Sequence, residues 1–320
     1  MVGARQVEIL LVGNCGDDVD SLRSSFNRTG VSNALHTASD AASALDFLRG
    51  QTTSGGRHIS PSLILLDLNC PDAGQPTVAA ELELLSELKS DPDLRSIPVI
   101  VVTESCDQAD ILNAYSSGAC SFVSKPASPE KRQRLFGQLA DYWAHVSQLP
   151  RSGSNSDDLL ESMIEAAASD DSIDPVPVLV VDDSEDDILL LKEAFVDCPL
   201  IDLIAAVEDG ETALRYMRGE SPFADARRPA IVLLDINMPR MNGFEVLAEM
   251  RADARLTRTP VIMLTTSKQE SDILRAYSDG ACSFISKPVH FDRMRQIAQR
   301  FALYWTTVAN TPPAMPVLAH

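Results

Sequence analysis

The segment AYSSGACSFVSKP at 114–126 returns as AYSDGACSFISKP at 276–288, 162 residues later and identical at 11 of 13 positions. Other blocks recur in the same order: VEILLVGNCGDD with VPVLVVDDSEDD, LILLDLNCP with IVLLDINMP, IPVIVVTES with TPVIMLTTS, and ADYWAHV with FALYWTTV. A period this long is a whole domain copied once, not the short unit of a solenoid. A chain of 320 residues accordingly suits two cores, since single domains usually stay below roughly 200 residues.

The repeat sets the expected boundaries: a first domain over 1–148, a linker over 149–175, a second domain over 176–310 and a flexible tail over 311–320. The linker carries acidic residues against the single cation Arg151, and its DDLLESMIEAA run predicts a short amphipathic helix with Asp157 and Asp158 at the positive end of the dipole. The tail is proline-rich and cannot continue a helix.

In the second copy, short β-branched apolar runs alternate with helical patterns, the mark of a parallel sheet covered on both faces. Strands are expected near 177–181, 201–206, 230–235, 260–264 and 282–286, with helices near 184–197, 209–218, 242–252, 269–279 and 290–308. Five such units give a doubly wound α/β fold, flavodoxin-like, with strand order 2-1-3-4-5. In that fold the carboxyl ends of the strands converge on one crevice at the topological switch point.

Placing the polar residues on those strand ends gathers a site. Asp182 and Asp183 follow the first strand, Asp235 ends the third, Thr265 the fourth, and Lys287 ends the fifth before Pro288. Three carboxylates so close need a cation, and an all-oxygen set suits Mg²⁺. Thr265 and Lys287 supply a hydroxyl donor and a positive charge for a phosphoryl group on Asp235. Glu185, Asp186 and Asp187 read instead as a solvated acidic run at a helix start.

At these residues the chain resembles the receiver domain of two-component response regulators, over the whole of both copies. The D-D after strand one, D-x-N-M-P after strand three, hydroxyl after strand four and K-P after strand five all occur in order, with Thr265 30 residues beyond Asp235 and Lys287 22 beyond Thr265. The RGESPFADARRP stretch at 218–229 and the aromatic last helix are similar to those of small regulators that serve phytochrome-type kinases. The resemblance implies that Asp235 attacks a phosphohistidine of a sensor histidine kinase or histidine phosphotransfer protein. It further implies that Asp183 holds Mg²⁺ directly, Asp182 through water and Asn237 through its backbone carbonyl. Thr265 and Phe284 would form the switch, and Lys287 would balance charge.

The first copy departs from this pattern. Gly13 and Asn14 stand where the acid pair should be, while Asp67, Asn69, Thr103, Phe122 and Lys125 match Asp235, Asn237, Thr265, Phe284 and Lys287. Glu104 replaces Thr266, and an insertion occupies 73–80. Asp17 and Asp18 correspond to Asp186 and Asp187, one turn further on, and are read as unable simply to substitute; the competing reading is that one of them swings inward on Gly16 and rebuilds a metal site. The first copy is therefore expected to be a degenerate receiver, unphosphorylated at Asp67, into which Asp at positions 13 and 14 should restore metal binding. Cys15, Cys70 and Cys106 fall on three of its site loops, where they could gather thiols.

Charge and composition narrow the output. A net charge of −19 argues against sequence-independent nucleic-acid binding, because phosphate backbones reward Lys and Arg. No stretch approaches the roughly 18 uncharged apolar residues of a membrane span, and the opening lacks a signal-peptide n-region, so the protein reads as cytoplasmic. The six scattered cysteines lack C-x-x-C pairs, which leaves zinc ribbons and disulfide frameworks unsupported. The expected protein is not an enzyme on external substrates, its chemistry being confined to its own aspartate, and acts through contacts with a downstream protein. An unphosphorylated interaction scaffold is the alternative. An aspartate-nucleophile phosphohydrolase is disfavoured, because Asp183-Ser184-Glu185 lacks the D-x-D form after the first strand. Phe291, Phe301, Tyr304 and Trp305, with Phe136, Tyr142 and Trp143 in the first copy, exceed what one helix face needs; the rings pack on their own sheets, the two domains cover each other, or the protein forms a homo-oligomer.

Overall fold

A computed structural model of the chain describes residues 7–13, 16–31, 33–50, 59–68, 78–149, 167, 173–196 and 198–312. The expected linker helix at 157–167 (save Ala167), most of the 73–80 insertion, and Asn14, Cys15, Asn69 and Cys70 lie outside them.

The first repeat contains β1 (Val7–Val12), α1 (Gly16–Arg28), β2 (Asn33–Ala38), α2 (Ala41–Leu48), β3 (Leu63–Asp67), α3 (Val78–Ser90), β4 (Val99–Thr103), α4 (Gln108–Ser116), β5 (Ser121–Ser124) and α5 (Pro129–His145). The second contains β6 (Val176–Val181), α6 (Glu185–Val196), β7 (Ile201–Val207), α7 (Gly210–Arg218), β8 (Ile231–Leu234), α8 (Gly243–Ala252), β9 (Val261–Thr265), α9 (Glu270–Ser278), β10 (Ser283–Ser286) and α10 (Phe291–Thr307). Each forms a parallel five-stranded sheet, β2-β1-β3-β4-β5 and β7-β6-β8-β9-β10, the 2-1-3-4-5 order expected.

The central strands are apolar because helices cover both faces: Val178 through Val181 and Ile231 through Leu234 are buried throughout, which removes any alternation with polar residues. Helix starts are fixed locally. Asp209 accepts from the Thr212 amide at 2.9 Å to cap α7, and Asn242 with Glu245 forms a capping box on α8, each satisfying amides the helix cannot. Gly243 lies so close to the Asp235 carbonyl that a Cβ would stand 2.1 Å from it. A glycine there lets α8 begin directly beneath the end of β8.

The two repeats pack on each other about a pseudo-twofold axis, along α5 and α10 and the outer edges of β5 and β10. Trp143 Nε1 donates to Tyr304 Oη at 2.9 Å, and Trp305 Nε1 to Tyr142 Oη at 3.2 Å. Tyr142 donates to Ser283 Oγ at 3.0 Å, and Tyr304 to Ser121 Oγ at 2.9 Å. The Gln148 amide donates to the Phe284 carbonyl at 2.6 Å, and the Asn310 amide to the Phe122 carbonyl at 2.7 Å. Chain leaving each terminal helix thus covers the sheet edge of the other repeat. Phe136, Tyr142, Trp143, Phe301, Tyr304 and Trp305 are all buried; Tyr142, Trp143, Tyr304 and Trp305 are covered by the other repeat, while Phe301 packs on Phe195 of its own. Phe291 alone of that set remains 39% exposed.

Candidate functional site

Parallel register brings the second-repeat residues together. β9 and β10 pair Thr265 with Ser286, one residue before Lys287, and the Lys287 amide donates to the Thr265 carbonyl at 2.7 Å. The Lys287 ammonium reaches Asp182 at 2.6 Å, Asp187 at 2.7 Å and Asp235 at 2.9 Å. Asp182 and Asp235 are only 2% and 5% exposed, so these charges meet away from bulk water, where their interaction is strong.

Sharing is unequal. Burial raises the Asp182 carboxyl above its ordinary range, and the lysine only partly offsets this. Burial alone would lower Lys287, but its hydrogen bonds to Asp182 and Asp187 and the Asp235 charge hold the ammonium above its usual value. Three acids on one cation leave an excess of buried negative charge. The remaining oxygens are hard donors of the kind that Mg²⁺ and Ca²⁺ take. Among the described residues no three His, Cys, Asp or Glu side chains already form a metal cage; the acids are drawn onto the lysine instead. The donor chemistry fits a divalent cation.

Asp183 is exposed at the mouth of the site. The Asn237 amide donates to Asp235 Oδ2 at 2.6 Å, and Asn237 Nδ2 lies 3.5 Å from Thr265 Oγ1. Thr265 is fully buried and accepts from the Ser267 amide at 3.2 Å. Phe284 is also fully buried, and its carbonyl accepts from the Gln148 amide of the first repeat. All the sequence-expected site residues of this repeat therefore sit around one strand edge. Asp187 corrects the reading of it as solvated: its carboxylate turns inward to Lys287.

In the first repeat the same lysine is committed. Lys125 Nζ contacts Asp67 at 2.7 Å and Asp18 at 3.1 Å, all three residues being buried. Arg132 reaches Asp18 at 3.1 Å and Glu104 at 3.8 Å. Asp18, one helical turn along, turns inward as the competing reading had it, but it binds the cationic side chains of Lys125 and Arg132. Asp18 and Asp187 occupy equivalent repeat positions, a signal that both face inward. Thr103 is fully buried at the end of β4, as expected. Gly13 has φ +107°, and a Cβ there would stand 2.8 Å from Asp67 Cβ. Restoring an aspartate at position 13 is therefore blocked by backbone and space together, a correction to the expectation from sequence. Of the three loop cysteines, Cys106 is exposed, and the other two lie outside the described residues.

The family profile of the response regulator receiver domain matches residues 9–135 and 178–299. The response regulator Rcp1 of Synechocystis is 30% identical over 146 residues, covering 46% of this chain and 99% of its own length. Protein PilH of Pseudomonas aeruginosa is 34% identical over 115 residues, covering 35% of this chain and 85% of its own. Among solved structures, the phosphorylated cyanobacterial phytochrome response regulator RcpA aligns at 34% identity, covering 42% of this chain and 99% of that one, with a TM-score of 0.39. The Mn²⁺-bound form of Rcp1 aligns at 28% identity over 43% of this chain and 99% of that one, also at 0.39. With matches to both repeats spanning most of its length, the chain belongs to the response regulator receiver family of two-component signalling, as two receiver domains in tandem.

Proposed function

We propose that the second domain is the phosphate-accepting switch, with Asp235 as acceptor, and that the first domain is not phosphorylated. The observation that carries this is the convergence of buried Asp182 and Asp235 with Asp187 on the Lys287 ammonium, charges gathered in the way functional sites gather them. A carboxylate oxygen of Asp235 attacks the phosphorus of a phosphohistidine; the P–N bond breaks, an acyl phosphate forms, and the imidazole leaves. Lys287 balances charge on the new phosphoryl group, and Thr265 donates its hydroxyl to it. Asp182, Asp183, Asp235 and the Asn237 carbonyl would hold Mg²⁺, which when bound neutralises charge on the transferring oxygens.

The phosphoryl donor, a sensor histidine kinase or histidine phosphotransfer protein, would dock on apolar surface at the rim. Leu189 on α6 and Val289 and Phe291 after β10 are exposed, Val289 by 92%. Each lies within a few residues of Asp187 or Lys287, which touch. The first domain carries Asp20, Ala127 and Pro129 at the equivalent positions and offers no such surface. Output runs through protein contacts to a downstream partner, and no described helix is long and apolar enough to cross a membrane.

The test is intact-mass spectrometry after exposure to acetyl phosphate. One phosphoryl group should appear with Mg²⁺, and none in EDTA or in Asp235→Asn. Undiminished labelling of Asp235→Asn would refute the assignment. No labelling at all in Mg²⁺ would favour the unphosphorylated scaffold.

A further inference from the structure

The seam between the domains is built almost wholly from residues that the repeat duplicates. Tyr142, Trp143, Ser121 and Phe122 meet Tyr304, Trp305, Ser283 and Phe284, and each contact has its mirror across the pseudo-twofold axis. A surface made of the same residues on both sides is self-complementary. By itself it would let two second domains, or two first domains, of separate chains pair as readily as the two domains of one chain.

Several contacts break that symmetry, the Ser147–Tyr277 hydrogen bond among them, and among the described residues one is an ion pair. Arg300 on α10 donates from Nε to Asp141 Oδ2 on α5 at 2.8 Å, with the arginine side chain only 4% exposed. Asp141 also binds His145 Nδ1 at 2.9 Å, and the other ring nitrogen of His145 meets the Thr29 carbonyl at 3.2 Å. The repeat equivalents of Arg300, Asp141 and His145 are Gln138, Leu303 and Thr307. The mirror-image contact is therefore an amide against a leucine, with no charge in it.

We propose that the Asp141–Arg300 pair is a pairing code, which directs this face of the second domain to the first domain and rejects a second copy of itself. In a pair of second domains each Arg300 would face Leu303, and a guanidinium desolvated at the seam would lose this carboxylate. In a pair of first domains Asp141 would face Gln138. Only the mixed pair joins acid to base across the seam, which favours it over the other two; Asp141, with its side chain 33% exposed, keeps His145 in every case. That preference comes from two side chains, on a seam where the contacts of Tyr142, Trp143, Tyr304 and Trp305 are mirrored and carry none. The inference does not depend on phosphorylation of Asp235.

The test uses the full chain. Asp141→Leu with Arg300→Gln gives both domains the same residues at both positions and removes the code, whereas Asp141→Arg with Arg300→Asp reverses the pair and keeps it. Light scattering over a concentration series should find wild type and the reversed pair monomeric, and the neutral double variant dimerising with at least a tenfold larger dimer fraction. The chain has two tryptophans, Trp143 and Trp305, both buried at this seam, so their emission reports whether the domains stay docked. A neutral double variant that remains as monomeric as wild type overturns the proposal, as does a reversed pair that dimerises equally. If the neutral variant fails to fold, Asp141→Arg alone decides: its red-shifted tryptophan emission should be reversed by adding Arg300→Asp, and absence of that rescue also overturns the proposal.

Discussion

The rings of Tyr142 and Tyr304 stack with centroids 4.2 Å apart and planes 8° from parallel, although they are the same residue of two domain copies. Each also meets its neighbouring tryptophan edge-on, and each hydroxyl is taken up by a serine on the opposite sheet. The strand that leads to Lys287 is thereby held by the first domain along its outer edge, which joins the candidate switch to the other repeat.

Removing the shared cation should expose how much charge the site holds. Lys287→Ala leaves Asp182, Asp187 and Asp235 without their common partner, a loss of roughly 3–5 kcal/mol for a broken buried pair. Calorimetry in EDTA should show this drop in melting temperature. Mg²⁺ should recover part of it, and recovery equal to the small effect of Mg²⁺ on wild type would count against metal binding among these acids.

Asp182→Asn should stabilise the protein at neutral pH. Burial raises the folded-state pKa of Asp182 above that of the unfolded chain, so its favourable contribution is present at acid pH and lost as pH rises through the folded value. Above that range the ionised carboxylate is a cost that asparagine removes. Melting in EDTA should favour the variant at pH 7 by roughly 2–4 °C for each kcal/mol gained, and the gap should close as the wild-type carboxyl protonates. Adding Mg²⁺ should reverse the ranking.

Gly13→Asp should weaken the first domain instead of reviving it. The backbone at φ +107° and the 2.8 Å approach to Asp67 Cβ predict a loss of about 1–3 kcal/mol. Thermal unfolding with and without Mg²⁺ checks this; a metal-dependent gain in stability would contradict it.

Asp67 should stay unlabelled in the Asp235→Asn chain. Lys125 already pairs with it in a buried network that Asp18 shares, and phosphoryl transfer depends on positioning and charge neutralisation that this lysine alone does not supply. Peptide mapping after acetyl phosphate and Mg²⁺ checks this directly.

Ala309→Ser should stabilise the interface. Ser147 shares a 2.8 Å hydrogen bond with Tyr277 across the seam, while its repeat equivalent is Ala309, and the buried Tyr115 hydroxyl on that side has no hydrogen-bond partner. Supplying the missing hydroxyl should contribute about 1 kcal/mol. The matched loss in Ser147→Ala provides the control.

The sequence by itself determined the duplication, both parallel sheets and the placing of Asp182, Asp235, Thr265 and Lys287 on one strand edge. Each of those follows from local pattern: β-branched runs set the strands, caps such as Asp209 and Asn242 set the helix starts, and strand ends in this topology converge without further information. Tertiary structure alone decided that Asp18 and Asp187 turn inward, that Gly13 sits in a backbone region closed to aspartate, and that the aromatic helices face each other within one chain. Those outcomes turn on whether a side chain meets a charge or a wall contributed from far along the chain. Asp187 and Lys287 are 100 residues apart and Asp141 and Arg300 are 159, and no periodicity within a single helix records what stands opposite it.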